Sequence, residues 1–208
     1  MFRRVDTRII GGACALCVAV GASLHAADAN TVLAEHLLDL SGRTVTLCAM
    51  PRLHETALAQ AVARAGGCLV YGQAADEAGL IRARSALAGA GVLGRSVYVG
   101  QGSDRLPLAD WVADLVVVAD ACDGDLSPRL QAEVKRLLSP YRGTAVIGKA
   151  RGAKGNLSRA RLVAWAAAFE HCTSEIVEDE FGLWAVIRKQ ALPGMDEWTH
   201  FEHDAGNN

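Results

Sequence analysis

One stretch constrains the fold more than any other: Asp114-Leu115-Val116-Val117-Val118-Ala119-Asp120. It is a continuous apolar run, β-branched at its centre and closed by an acid at each end. A strand with one solvated face alternates apolar and polar residues, whereas an unbroken run is covered on both faces. Such a strand belongs in the middle of a parallel sheet with helices on either side.

The rest of the chain supplies the neighbours. Val32, Leu33, His36, Leu37 and Leu40 recur at helical spacing over Thr31–Leu40, and Gly42 ends that helix. Thr44–Cys48 is a β-branched run that predicts the first strand. Glu55–Ala65 is Ala-rich and helical and stops at Gly66-Gly67. Cys68–Gly72 predicts the second strand, and Asp76 caps a helix through Leu87 that breaks over Gly89–Gly94. Ser96–Val99 predicts the third strand.

Beyond the central run, Ser127 and Pro128 supply a cap and an N1 proline for a helix to Leu138. Thr144–Gly148 is the fifth strand, Arg151–Gly155 a basic glycine-containing loop, and Ser158 caps a helix through Phe169. Ser174–Glu178 and Leu183–Ile187 flank Phe181-Gly182 and predict a closing antiparallel hairpin. Strands joined by helical crossovers make a doubly wound, mostly parallel α/β sheet, and the hairpin completes seven strands.

Charge excludes one class of partner. The formal net charge is -2 over 208 residues, which argues against a nucleic-acid binder with a basic face. Aromatics make up only 5%, so a base- or sugar-stacking surface is not expected in the main body. No Gly-x-Ser-x-Gly elbow occurs, which disfavours a serine hydrolase. Lys149, Arg151, Lys154, Arg159 and Arg161 form a basic cluster, read as a solvated face able to meet an anionic partner.

Residues 1–29 have the grammar of a secretory signal peptide. Arg3, Arg4 and Arg8 precede the apolar run Ile9–Ala22, and Ala27-Asp28-Ala29 offers small residues at a cleavage site. The alternative is an uncleaved anchor, for which the run is short. The expected location is therefore periplasmic or extracellular, with membrane contact only through this segment. Cys48, Cys68, Cys122 and Cys172 remain in the mature chain. They contain no Cys-x-x-Cys spacing, so a zinc site is not expected, and both buried thiols and disulfides stay open.

Two phrases carry a family resemblance. Arg136-Leu137-Leu138-Ser139-Pro140-Tyr141-Arg142-Gly143-Thr144 resembles the helix-to-strand turn "R-x-L-x-P-G-G" of the class I S-adenosylmethionine-dependent methyltransferases. Leu106-Pro107-Leu108-Ala109-Asp110 before the acid-bounded strand resembles their "L-P-F-x-D…F-D-x-V" stretch. The resemblance spans about Thr31 to Lys189, and implies a seven-stranded sheet whose last strand is antiparallel.

In such a sheet a ligand binds at the carboxyl ends of the strands, at the switch point beside the first strand. The resemblance implies a "G-C-G-x-G" turn there, because the backbone must approach the cofactor closely. This chain has Cys48-Ala49-Met50-Pro51-Arg52 instead. A ribose-binding acid is expected after the second strand, where Gln73 or Ala74 falls and Asp76 follows late. After the third strand Asp104 is the nearest acid, although the family position falls closer to Gly102. Asp120, at the end of the fourth strand, is of the right type. The positional cofactor candidates are thus Cys48, Asp76, Asp104 and Asp120, with no catalytic residue and no metal ligand assigned.

The tail carries a second resemblance. Asp196-Glu197-Trp198-Thr199-His200-Phe201, followed by His203-Asp204-Ala205-Gly206-Asn207, is similar to a "D-E-W-T-H-x-x-H-D-x-x-x-N" linker. That linker joins a methyltransferase-like domain to a pyrroloquinoline-quinone-type β-propeller in exported bacterial proteins. His200, Glu202, His203 and Asp204 are metal ligands by type, but their loop setting favours a junction. The resulting expectation has three parts: a signal peptide over 1–29, a methyltransferase-like domain over 30–190, and a linker over 191–208 into a second domain, its partner. The domain is expected to be a non-catalytic scaffold or binding module, without a cofactor. The alternatives are an active S-adenosylmethionine (SAM)-dependent enzyme with a divergent loop and a module for another small ligand in the same crevice.

Overall fold

The computed structural model describes residues 29–53, 55–102 and 105–191. The leader and the linker fall, apart from their innermost residues, outside the described residues. Helix α1 spans residues 29–41. It is followed by β1 (Leu47–Met50), α2 (Thr56–Gly66), β2 (Leu69–Ala74), α3 (Glu77–Gly89), β3 (Val97–Gln101) and β4 (Leu115–Val118). Then come α4 (Pro128–Leu137), β5 (Thr144–Ala150), α5 (Arg159–Ala167), β6 (Cys172–Glu178) and β7 (Gly182–Lys189). The seven strands form one sheet in the order β3-β2-β1-β4-β5-β7-β6. All neighbours are parallel except β7, which runs antiparallel to both β5 and β6.

The central run behaves as its composition demands. Every residue of β4 is buried. Leu115 and Val117 pack with α1, α2 and α3 on one face of the sheet. Val116 and Val118 pack with α4 and α5 on the other. An alternating polar residue would have no water to face on either side, which is why the run has none. Asp76, Ser127 and Ser158 cap α3, α4 and α5, accepting from the N–H groups of Gly79, Leu130 and Arg161.

The strand bounds differ from the sequence reading at β1. The β-branched run Thr44–Cys48 predicts a strand, yet the ladder begins at Leu47. Asp114 is the reason. Its buried carboxylate accepts from the Thr46 N–H at 2.9 Å, from the Thr46 hydroxyl and from the Leu47 N–H at 3.3 Å. The N–H groups at the start of the run go to a side chain, while the Thr46 carbonyl already accepts from the Leu69 N–H at 3.0 Å. β2 and β5 in turn run on to Ala74 and Ala150 because β3 and β7 continue beside them.

Burial alone would raise the pKa of Asp114. The Thr46 hydroxyl, the two N–H groups and Arg142 at 3.4 Å outweigh it and hold the carboxyl below its ordinary value. A folded pKa below the unfolded one adds stability that is complete above the unfolded value of about 3.9. It is lost as pH falls through the folded value. Thermal melting of the native chain should therefore drop steeply below about pH 4, and Asp114→Asn should melt lower at neutral pH with a flatter acid limb. Parallel acid limbs in the two proteins would remove Asp114 from the account.

All four cysteines described are free thiols. Burial pushes the Cys48 thiol well above its ordinary value, with the neighbouring Cys68 adding to the shift. Cys68 is raised by burial as well. Both stay protonated as small core residues.

Candidate ligand-binding cleft

The strand order reverses between β1 and β4, so their carboxyl ends diverge and leave room above the sheet. A cleft of about 1130 Å³ opens there, over the ends of β1, β4 and β5. Met50 and Val117 form its floor, and Val32 and Leu33 on the first turns of α1 form its roof. Leu58 of α2 and Phe181 of the β6–β7 turn add apolar side walls. Polar groups gather at the β4 and β5 ends: Asp120, Cys122, Arg151 and Lys154. This is the usual build of a small-molecule site, an apolar enclosure with a few convergent polar groups.

The roof is fastened far from its own sequence neighbourhood. His36 of α1 stacks on Phe181 with ring centres 4.3 Å apart, and its Nε2 lies 2.9 Å from the Asp179 carboxylate. Asp179 also accepts from the N–H groups of Phe181 and Gly182, so one acid shapes the turn and meets the helix. Trp184, fully buried, lies behind this contact. On the β5 side, Arg151 donates to the carbonyl oxygens of Asp179 and Glu180 and joins the same turn to the loop 151–155. The predicted basic cluster is partly tied down in this way, since Arg159 pairs with Glu178 and Arg161 donates to Leu126 O.

The half of the crevice over β1 and β2 is closed. The segment after β1 folds across the end of β2, and the Leu53 N–H donates to Gln73 O at 2.8 Å. The Leu53 side chain then lies on Gly72, so close that a Cβ at that glycine would sit 2.7 Å from Leu53 Cδ2. Pro51 is buried. Arg52 forms an ion pair with Asp125 of the β4–α4 loop and ties the segment to the far side of the crevice.

Each sequence candidate has a definite place except one. Cys48 lies inside β1 and is fully buried in the core, so Met50, not Cys48, stands at the strand end and faces the cleft. The expectation that Cys48 reaches a cofactor is corrected by the ladder starting later than the β-branched run suggests. Asp76 accepts from Gly79 N at 2.6 Å as the cap of α3 and is not among the residues lining the cleft. Asp120 does line it. Asp104 lies outside the described residues. The structure therefore brings Asp120 to the cleft and leaves Cys48 and Asp76 elsewhere. Leu53, the α1 residues of the roof and Phe181 were not read as site residues in the sequence, and their only signal as such was the missing glycine after β1. Among the described residues no group of His, Cys, Asp and Glu could hold a metal ion.

SAM bound in the manner that the resemblance implies would need a glycine turn after β1 and a carboxylate at the end of β2. Here Met50, Pro51 and Leu53 fill the first position. At the second, Gln73 is buried, with its amide N–H donating to Arg105 O at 3.0 Å and its Oε1 without a partner among the described residues. An amide sealed beneath the Leu53 segment does not replace an exposed acid that accepts from two hydroxyls. The residues present do not fit the cofactor in that place.

No family model matches the chain, and no curated protein matches it. Solved structures do match. A protein from Methanococcus maripaludis assigned to the S-adenosyl-L-methionine-dependent methyltransferases superposes with a TM-score of 0.68 at 20% identity, over 81% of this chain and 89% of its own. A SAM-dependent methyltransferase from Aquifex aeolicus gives 0.54 at 16% identity, over 74% of this chain and 88% of its own. A geranyl diphosphate methyltransferase, solved with SAM, gives 0.58 at 13% identity, over 76% and 83%. At such identities the likeness is one of fold: the chain has the class I methyltransferase fold, with its mostly parallel seven-stranded sheet and antiparallel terminal hairpin.

Proposed function

We propose that this domain is a binding module built on the methyltransferase fold and not a SAM-dependent enzyme. It takes a small amphipathic ligand in the cleft under α1. The observation that carries the reading is the segment Met50–Leu53, which lies over the end of β2 and is held by Leu53 on Gly72 and by Arg52 against Asp125. The apolar part of the ligand would rest on Leu33, Leu58 and Phe181. Its polar end would meet Asp120, Lys154 and the loop 151–155. No reaction is assigned to the residues at the cleft.

The test is isothermal calorimetry of the chain against SAM and its demethylated product, with thermal melting in parallel. The expected outcome is no heat and no shift in melting temperature at millimolar cofactor. A ligand at a hundredfold over its Kd stabilises by about 2.7 kcal/mol, so micromolar binding would be obvious in both measurements. Such binding overturns the reading and favours the alternative, an active methyltransferase with a divergent loop. Its supports are the fold of the solved relatives and Asp120 at the cleft.

The export of the chain and a following β-propeller partner are part of the same proposal and rest on the sequence of residues 1–29 and 191–208. N-terminal sequencing of the secreted protein should begin near Asn30. An intact Met1 would refute cleavage.

A further inference from the structure

The opposite end of the sheet carries a feature that the cleft does not use. Trp111 and Val112 precede β4, Tyr141 precedes β5, and these large residues are 50%, 39% and 36% exposed. Trp111 and Tyr141 also hold left-handed backbone, with φ of 62° and 61°. That region suits Gly or Asn and strains a bulky side chain. Hydrogen bonds hold the strained segments in place. Trp111 N donates to Arg136 O at 2.8 Å, Ser139 N to Ala113 O at 2.9 Å, and Gly143 N to Ser139 O at 2.7 Å. The fold thus fixes two aromatic residues in costly conformations at the surface, where burial would suit them better.

The chain leaves the sheet at the same place. Lys189 N donates to Gly143 O at 2.9 Å, and the Lys189 ammonium lies 5.5 Å from the centre of the Trp111 ring. The segment beyond Ala191 carries Met195, Trp198 and Phe201, together with Asp196, Glu197, Glu202 and Asp204, and no Lys or Arg. Arg142, in the turn with Tyr141, lies 3.4 Å from Asp114 with its side chain 59% exposed, so its outer face would also meet those acids. Extended chain covers at most about 3.3–3.6 Å per residue, so Trp198 reaches roughly 24 Å from Ala191, ample for a patch beside the exit.

We propose that Trp111, Val112 and Tyr141 are the seat of the chain's own segment 193–201. Trp198 and Phe201 lie on the aromatic pair, and the acids face Arg142. The seat orients whatever follows the domain at the end of the sheet remote from the cleft.

Hydrogen exchange read by mass spectrometry on the 208-residue chain tests this. The amides of 196–201 should exchange at least about tenfold slower than unstructured chain. Trp111→Asn should abolish that protection; Asn accepts left-handed backbone, so the ring is removed without added strain. Trp198→Ala, outside the described domain, should abolish it from the other side and leave the melting of the sheet in place. Unstructured exchange rates in the unaltered chain overturn the proposal, as does protection that survives both substitutions. Protection that grows with protein concentration alongside a dimer in sedimentation also overturns it, and assigns the patch to a second copy.

Discussion

Arg136→Met should destabilise the domain by about 3–5 kcal/mol, the range for leaving a buried charge without its partner. Arg136 lies on α4 with its side chain 13% exposed, and Glu133, one turn earlier, is 7% exposed. The guanidinium donates through Nε to Glu133 Oε2 at 2.9 Å and through Nη2 to Glu133 Oε1 at 2.6 Å. It also donates to Leu106 O at 3.1 Å, to Leu108 O at 2.7 Å and to Asp110 at 2.7 Å. Its hydrogen bonds to Glu133 outweigh the penalty of burial and hold its pKa above the ordinary arginine value, so it is charged throughout the working range. Met matches the stem of the side chain and none of its donors. It leaves Glu133 charged in a buried place and frees the loop 105–110. With a urea m-value of about 1–3 kcal/mol/M, the unfolding midpoint should fall by about 2 M. The double substitution Glu133→Met with Arg136→Met should recover part of this, but not all, because Glu133 Oε1 also accepts the Leu106 N–H at 2.7 Å. A loss under about 1 kcal/mol in the single variant would class the pair with ordinary surface ion pairs.

That network explains why the resemblance was legible as two separate phrases. Arg136 opens one phrase and Leu106–Asp110 is the other, and the structure shows the first holding the second. Sequence periodicity reports which residues share a face of one element. It carries no signal for a bond between elements far apart in the chain. The same limit governs the site. The missing glycine after β1 could be read directly, whereas the occupant of the space could not. Leu53 covers Gly72 because the loop bends back onto β2 in one particular register. The β-branched run at Thr44–Cys48 was misplaced for a similar reason: a carboxylate from the start of β4 takes the N–H groups that a strand would have used. The central run and the three helix caps were legible because each rests on contacts within a few residues.

Gly148→Ala should disrupt the sheet where the cleft wall is anchored. Gly148 lies in β5 opposite Trp184 of β7. A Cβ there would fall onto the Leu183 carbonyl oxygen and 2.8 Å from Trp184 Cα, both backbone atoms of the adjacent strand. A flexible side chain could turn aside, but a paired backbone moves only by breaking its ladder. The β5–β7 ladder runs from Thr144 with Arg188 to Ala150 with Gly182, so the strain falls on a pairing that spans the whole strand. Trp184 cannot yield either, since it is fully buried behind the His36–Phe181 stack. The expected loss exceeds about 4 kcal/mol, the range reserved for defects with a single structural cause. Against a typical domain stability of about 5–15 kcal/mol, this leaves a chain that is marginal at best. The variant should expose its hairpin amides to hydrogen exchange before those of β1–β3, because the clash lies on one side of the switch point. Uniform loss of protection across the sheet would mean that the hairpin and β1–β3 unfold as one unit. A normal melt would show that β7 can shift away from β5, and that the cleft wall at Ala150 and Phe181 is looser than its hydrogen bonds indicate.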